Sequence, residues 1–537
     1  MGPTPHTRSP QTAATDARRP DRNEAASARY DFIVCGAGSA GCALAGRLAE
    51  NPDVNVLLLE AGGSDDLPEV HVPGQWPANL GSARDWGFVA EPNPHLDGRA
   101  IPLNMGKVLG GSSSINVMVW ARGHQADWDH YAEATGDDGW NYRNVLDVYR
   151  RIEDWRGLPD PERRGHGGPV HVETARYPQP EALAMVEAAE SLGLPVFASP
   201  NGAMMEGRGG VALEDLIVKD GRRASMYRAY VWPKRHQANL TVLTRAHVHR
   251  LVFDGTTVTG VEAIVEDRHE VFHAAREVVL SLGAINTPRV LMQSGIGPED
   301  ELRPHAIPVL QHLPGVGRNH QDHVAFGCLF ESTAPLPVGH GGSEATLYWK
   351  TNPTLRLPDV FHCQLGFPVP TPETAHRGVP AQGWMTFAGL SHPKSRGSLH
   401  LSGAGVDDPV RIHANTLSHP DDLRAAITTI GIAREIAHAP AFRGLLKREA
   451  MPGPLAGADM ERYARESAIT FWHQACTARM GRDAMSVVDG QLRVYGIQRL
   501  RIADASVLPD VPSGNTMAPC VVIGERAAEL IKAAHGI

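Results

Sequence analysis

Three glycines and one carboxylate are the first residues in this 537-residue chain whose types and spacing could do chemistry. Gly36, Gly38 and Gly41 form a G-x-G-x-x-G run, and Glu60 follows 19 residues after the last glycine. The first glycine permits a tight turn, the second lets backbone approach a pyrophosphate, and the third lets a helix pack close to a strand. An acid about 20 residues further on is placed to accept a hydrogen bond from a ribose hydroxyl. A second segment, residues 106–116, sets Gly106, Gly110, Gly111, Ser112, Ser113 and Ser114 ahead of Ile115 and Asn116. Nothing bulky there keeps the backbone from lying along a flat ring or a pyrophosphate. Asp127 and Asp129 flank Trp128 just before His130. Acids at a helix start complement its dipole, and no metal site is expected.

A βαβ unit is needed to hold the first group. Residues 30–35 are a short, mostly apolar run suited to a buried parallel strand. Residues 39–50 read as the helix whose N-terminal N–H groups face the phosphates, and residues 54–59 as the second strand, closed by Glu60. Residues 62–99 are loop-like, and 106–116 are expected to lead into an apolar helix. Strand patterns return over 240–243, 248–253, 258–265 and 277–282, followed by a turn and a helix that stops before Gly295. From about 325 to 470 the pattern is that of a separate α+β unit, with alternation at 398–401 and a long helix near 421–438. The chain closes with a short strand ending at Asp504 and a final helix over 516–534. The expected fold class is α/β, a Rossmann-like domain with a second α+β domain.

Composition narrows the classes further. A hydrophobic content of 42% with 21% charged residues is that of a soluble globular protein with a large core. No apolar run approaches the ~20 residues that span a bilayer. The formal net charge of −9 argues against non-specific nucleic-acid binding, which needs a basic face. Cys35, Cys42, Cys328, Cys363, Cys476 and Cys520 contain no C-x-x-C pair, so reduced thiols and a cytoplasmic location are expected. Arg18 and Arg19 lack the hydrophobic stretch that follows them in an export signal.

Residues 106–116, residues 283–297 (Gly-Ala-Ile-Asn-Thr-Pro-Arg-Val-Leu-Met-Gln-Ser-Gly-Ile-Gly) and the C-terminal block resemble the glucose–methanol–choline (GMC) flavoprotein oxidoreductases. With the βαβ unit, the resemblance runs from Tyr30 to the C-terminus. It implies extended FAD across the Rossmann-like domain, roofed at the isoalloxazine by an antiparallel sheet of the second domain. Under that reading Gly36, Gly38, Gly41 and Glu60 hold the ADP half. Gly110, Gly111, Ser112 and Asn116 lie along pyrophosphate and flavin, and Val248 gives backbone contacts to adenine. Asp504, Ala505, Asn515 and Thr516 close over ribityl and ring. Ile115 stands where some relatives carry a flavin-linking His, so non-covalent FAD is expected. The implied organisation is a disordered tail over 1–28, an FAD domain from 29–150, 226–324 and 480–537, and a substrate domain from 151–225 and 325–479.

Moving a hydride from an alcohol carbon to flavin leaves a hydroxyl proton to be removed, and histidine is the natural base. Among 26 histidines, His473 stands in a segment, Trp-His-Gln-Ala-Cys-Thr-Ala-Arg-Met-Gly, that resembles the family's His-Pro-x-Gly-Thr-x-Arg/Lys-Met-Gly. The family's His is the catalytic base, and this chain departs from the segment at Gln474 and Cys476. Asn515 is the second expected catalytic residue, an amide that hydrogen-bonds the substrate oxygen as it gains alkoxide character. Cys476 is expected to be a pocket wall. The expected activity is FAD-dependent oxidation of a primary alcohol to an aldehyde, with O2 or another electron acceptor. A hydroxymethyl group of an amino sugar is one expected substrate, as in the paromamine 6′-oxidase-like branch of antibiotic biosynthesis. A choline-like or aryl alcohol dehydrogenase using a non-oxygen acceptor and a flavin-containing hydroxynitrile lyase are the alternatives.

Overall fold

Tyr30–Cys35 (β1), Ser39–Leu48 (α1) and Val56–Glu60 (β2) form the expected βαβ unit in the computed structural model, which describes residues 29–537 except Val338, His340 and Gly341. The tail expected over 1–28, and His340 and Gly341 of the glycine-rich loop at 339–342, lie outside the described residues. β2 is buried at every position, as befits a strand covered on both faces. The N-cap of α1 is Gly38, which has no side chain to satisfy the first-turn N–H groups. Those donors are left for a ligand.

Further along the chain come Leu240–Thr244 (β3), Ala246–Asp254 (β4), Thr257–Val265 (β5), Arg268–Leu280 (β6), Gly283–Gln293 (α2), Leu500–Ile502 (β7) and Met517–His535 (α3). The parallel strands run in the order β3-β2-β1-β6-β7. Strand order reverses at β1, so the loops after β1 and β6 diverge there and open a crevice at their carboxyl ends. The first half of β6 pairs instead with β5 in an antiparallel meander that includes β4.

A second, antiparallel sheet is built from Leu446–Met451, Val324–Ser332, Gly383–Leu390, Val360–Leu365, Ala345–Trp349 and Gly210–Leu213, in that order. Ala468–Thr470 adds to the start of Val324–Ser332. Helices Pro180–Ser191 and Pro420–Ala437 pack on this sheet. Two hydrophobic cores result, one around the parallel sheet and one around the antiparallel sheet.

The helix expected after residue 116 does not form. A single 3-10 turn, Gly111–Ser114, is followed by extended backbone in which Met118 is left-handed at φ 65°. Ser113 Oγ donates to Gly110 O at 2.6 Å, Ser114 Oγ donates to Leu109 O at 2.7 Å, and Asn116 Oδ1 accepts from Met118 N at 3.0 Å. Local side-chain bonds of this kind compete with helix propagation.

Candidate active site

Between the two sheets lies an open cavity, lined by the glycine loops and strand ends of the parallel sheet on one side and by residues of the antiparallel sheet on the other. Its floor is the crevice at the carboxyl ends of β1 and β6, where Gly36, Gly38, Ser281 and Gly283 line the wall. Gly111 and Ser112 face them from the opposite loop. At Gly111 (φ +54°) a Cβ would sit 2.7 Å from Gly38 Cα, so the two glycine loops meet backbone to backbone. Gly38 itself has open space where a Cβ would be, which is room for a phosphate. Ser281 Oγ and Asn286 Oδ1 are buried at this wall without a protein partner. These donors, acceptors and smooth backbone fit a pyrophosphate and its sugar.

Glu60 closes β2 at the same wall and accepts from Ala37 N at 2.9 Å and Gly62 N at 2.8 Å. Burial pushes its carboxyl up to about 7. At the far end of β7, Asp504 accepts from Gly283 N at 3.0 Å, Thr287 Oγ1 at 2.5 Å and Ser506 N at 2.8 Å, tying the loops after β6 and β7 together. Asn116 is fixed by Arg223 Nη1 at 2.6 Å and by Met517 Sδ at 3.2 Å. Ala505, Asn515 and Thr516 complete this side, Thr516 being the N-cap of α3.

His473 faces the cavity from a loop that follows Ala468–Thr470. Its Nδ1 lies 2.8 Å from His323 Nδ1, and the rings meet edge to face with centroids 4.9 Å apart. His323 Nε2 is 2.8 Å from Pro512 O. Burial pulls His473 down to about 3 and His323 well below the usual histidine range. The loop is backed by Asp322, which accepts from His473 N at 2.8 Å, from Gln474 Nε2 at 3.0 Å and from Thr470 Oγ1. Trp472 and Cys476, at φ 59° and 73°, hold left-handed backbone on either side of the histidine. A neutral imidazole and an amide at one cavity can accept a proton and donate a hydrogen bond. The rest of this end is mainly aromatic and apolar, with Trp76, Leu365, Phe387, Phe471 and Trp472 on the wall beside the polar Asn104, Ser343, Gln364 and Gln474.

Eleven of the expected site residues line this one cavity: Gly36, Gly38, Glu60, Gly111, Ser112, Asn116, His473, Asp504, Ala505, Asn515 and Thr516. Gly41 and Gly110 lie behind it. A Cβ on Gly41 would collide with Gly36 O, and Gly110, at φ +91°, donates its N–H to Ala37 O at 2.8 Å. Val248 does not reach the lining either. It pairs with Ala263 within the meander and is 3% exposed, while the ring of its neighbour His247 packs on Trp86, which does line the cavity. Cys476 is not a wall: it is wholly buried and its N–H donates to Ala505 O at 3.0 Å. It occupies the place of the Gly in the family segment, where the backbone is left-handed. The acids at 127 and 129 bind backbone; Asp127 Oδ2 accepts from His124 N and Ser513 N, both at 2.8 Å, and so anchors the turn before Asn515.

Sequence reasoning missed Asp322 and His323. The cluster His320-Gln321-Asp322-His323, polar and directly ahead of the apolar strand Val324–Ser332, was the available signal. Trp86, with Lys107 over its ring at 4.7 Å, also went unread.

Among the described residues no helix is long and apolar enough to cross a membrane. Residues 30–325 and 393–524 match the two family models described as GMC oxidoreductase. The chain is 36% identical to the mitochondrial choline dehydrogenase of Mus musculus, over 94% of this chain and 89% of that protein. It is 34% identical to an alcohol dehydrogenase [acceptor] of Pseudomonas putida, over 94% and 95%. The structure of a pyridoxine 4-oxidase from Mesorbium loti superposes with a TM-score of 0.89 at 33% identity, over 95% of this chain and all of that one. The crevice at the strand ends, the facing glycine loops and the buried histidine therefore sit in a scaffold and a sequence of one kind: the chain belongs to the GMC oxidoreductases, FAD enzymes that act on CH–OH donors.

Proposed function

We propose that this enzyme oxidises a primary alcohol with an aromatic or otherwise apolar body to its aldehyde, with His473 as base and O2 as the final acceptor. The observation that carries the reading is the pairing, in one cavity, of a neutral buried imidazole at His473 with the amide of Asn515, under a wall of Trp76, Phe387, Phe471 and Trp472. FAD, when bound, takes the hydride from the carbinol carbon. Gly36, Gly38, Gly111 and Ser112 would hold its pyrophosphate, Glu60 its ribose, and Asp504, Ala505 and Thr516 its ribityl and ring. No histidine stands at Ile115, which supports non-covalent attachment. His473 accepts the hydroxyl proton, and Asn515 donates to the oxygen as it gains negative charge. The aromatic wall excludes water and orients the alcohol.

The charge around the cavity ranks the substrates. Its only acidic wall residues among those described are Glu60 and Asp504, both occupied by backbone N–H groups on the cofactor side. Behind the wall, burial pushes Glu181 up to about 7 and Glu214 up to about 8, so neither presents a full negative charge at neutral pH. A ring alcohol is favoured, as in the relative named for pyridoxine. A choline-like alcohol comes next, through cation–π contact with the aromatic wall. The hydroxymethyl group of an amino sugar comes last, for want of carboxylate partners. The test is anaerobic mixing of the holoenzyme with benzyl alcohol, choline, an amino sugar and a hydroxynitrile, following flavin absorbance and then admitting air. Bleaching fastest with benzyl alcohol and rapid recovery in air are expected. Turnover of the hydroxynitrile without bleaching by any alcohol overturns the reading in favour of a lyase.

A further inference from the structure

Three consecutive residues on the strand-entry segment, Gln321, Asp322 and His323, grip the loop that carries His473, and their hydrogen bonds have a direction. Gln321 N donates to Ala475 O at 3.2 Å while Ala475 N donates back to Gln321 O at 2.9 Å. Phe471 N donates to His323 O at 2.9 Å, and Asp322 Oδ1 accepts from His473 N at 2.8 Å. The backbone on both sides of His473 is thereby fixed; its ring packs edge to face on Phe471, with centroids 5.2 Å apart, and takes its side-chain hydrogen bond from the contact with His323.

The ring pair can be solved from its end. Pro512 O is a carbonyl and only accepts, so His323 Nε2, 2.8 Å away, carries a hydrogen and donates it. A neutral imidazole has one N–H, and His323 is 1% exposed with no acid bonded to its ring. Its Nδ1 is therefore a bare acceptor. The contact between the two Nδ1 atoms, at 2.8 Å, needs one donor, and only His473 can supply it. His473 then holds its hydrogen on Nδ1 and leaves Nε2 as a lone pair for the cavity that the ring lines.

We propose that His323 is a positioning residue that sets the tautomer of His473, with the Pro512 carbonyl as the fixed end of the relay. This rests on His473 being the base. In the reaction Nε2 takes the alcohol hydroxyl proton, and FAD, once bound, would supply the acceptor for the carbinol hydride. The imidazolium so formed keeps its Nδ1–H on His323, which already accepts it, so no hydrogen bond is rearranged at the moment of proton transfer. In the opposite tautomer two bare Nδ1 atoms would face each other at 2.8 Å and Nε2 would carry a hydrogen towards the substrate, where it could accept nothing. A wrong tautomer in a comparable base costs catalysis heavily.

The test compares three holoenzyme variants by anaerobic flavin bleaching with the panel alcohol that bleaches the wild type fastest. His323→Leu removes the acceptor, and its limiting rate is expected to fall about 100-fold with apparent affinity changed less than about threefold. His323→Asn returns an acceptor oxygen near the Nδ1 position and is expected to recover to within about tenfold of wild type. A packing role alone would not be restored by the smaller polar residue. Equal rates for His323→Leu and wild type, or an Asn variant as slow as Leu, overturn the proposal. His473→Asn separates this from the reading beneath it: a His473→Asn enzyme that bleaches at the wild-type rate removes the base itself. A neutron structure of the unmodified holoenzyme needs no variant to fold. A deuteron on His473 Nδ1 and none on Nε2 is expected, and the reverse placement overturns the proposal.

Discussion

His473 is held neutral by its surroundings, and that sets how its chemistry responds to acid. Burial disfavours the imidazolium and pulls the group down to about 3, so the proton-accepting form dominates at every pH above that value. The rate constant for flavin reduction by an alcohol is therefore expected to show no histidine limb between pH 5 and 8. Asp322 lies against the same loop, and burial pushes its carboxyl up to about 7, so its titration has to be told apart. An acid limb near 6.5 that persists in Asp322→Asn would contradict the neutral-base account. Glu60 moves the other way, up to about 7, because burial penalises its ionised form more than two N–H donors favour it. The residues read from the sequence by chemistry, Gly36, Gly38 and Glu60, were legible because backbone approach and a strand-end acid are local requirements. His323 was not, since its partner lies 150 residues away and a lone histidine carries no sign of what it touches.

At the scale of elements, the loop from Thr470 to Cys476 is strained and is held in place by its neighbours. Trp472 and Cys476 are left-handed, a conformation that costs non-glycine residues of order 1–3 kcal/mol and persists only where the surroundings over-determine it. Asp322 supplies much of that determination, with three donors from the loop on its carboxylate. Asp322→Ala would leave His473 N and Thr470 Oγ1 without their acceptor, at about 1–3 kcal/mol for each, while Gln474 Nε2 keeps Thr470 Oγ1 at 3.0 Å. The variant is expected to release flavin at a lower temperature than wild type and to bleach with alcohol at least tenfold more slowly, as read by flavin fluorescence on heating and by stopped flow. Unchanged release and rate would show that the loop holds its shape without the acid. Elements differ in how far they could be read. β1, α1 and β2 follow one another with clear periodicity and a glycine turn between them. The first half of β6 was missed because it opens on Arg268, His269 and Glu270 and mixes His273, two alanines and Arg276 with only two large apolar residues, and only the buried end reads as a strand. Val360–Leu365 alternates apolar Phe361, Cys363 and Leu365 with polar His362 and Gln364 yet is buried at all six positions, so the alternation suggests a solvent face that the strand does not have.

Across the whole molecule, the cavity gathers the loops after β1, β6 and β7, the 3-10 turn at Gly111–Ser114, the His473 loop and the strands of the antiparallel sheet. The parallel order β3-β2-β1-β6-β7 brings residues 36–41, 281–283 and 504 to one edge, although hundreds of positions separate them. That edge and the antiparallel sheet above it could be anticipated as a fold class, but not the registry that sets Phe387 and Leu365 on the cavity wall. The central claim is that this assembly removes a hydroxyl proton through His473 while FAD takes the hydride. Its most direct measurement is the limiting rate of anaerobic flavin bleaching by benzyl alcohol in wild type and His473→Ala, at matched flavin content. Loss of base catalysis predicts a fall of about 10²–10⁴-fold with the flavin still bound. Bleaching of His473→Ala at the wild-type rate would contradict the account.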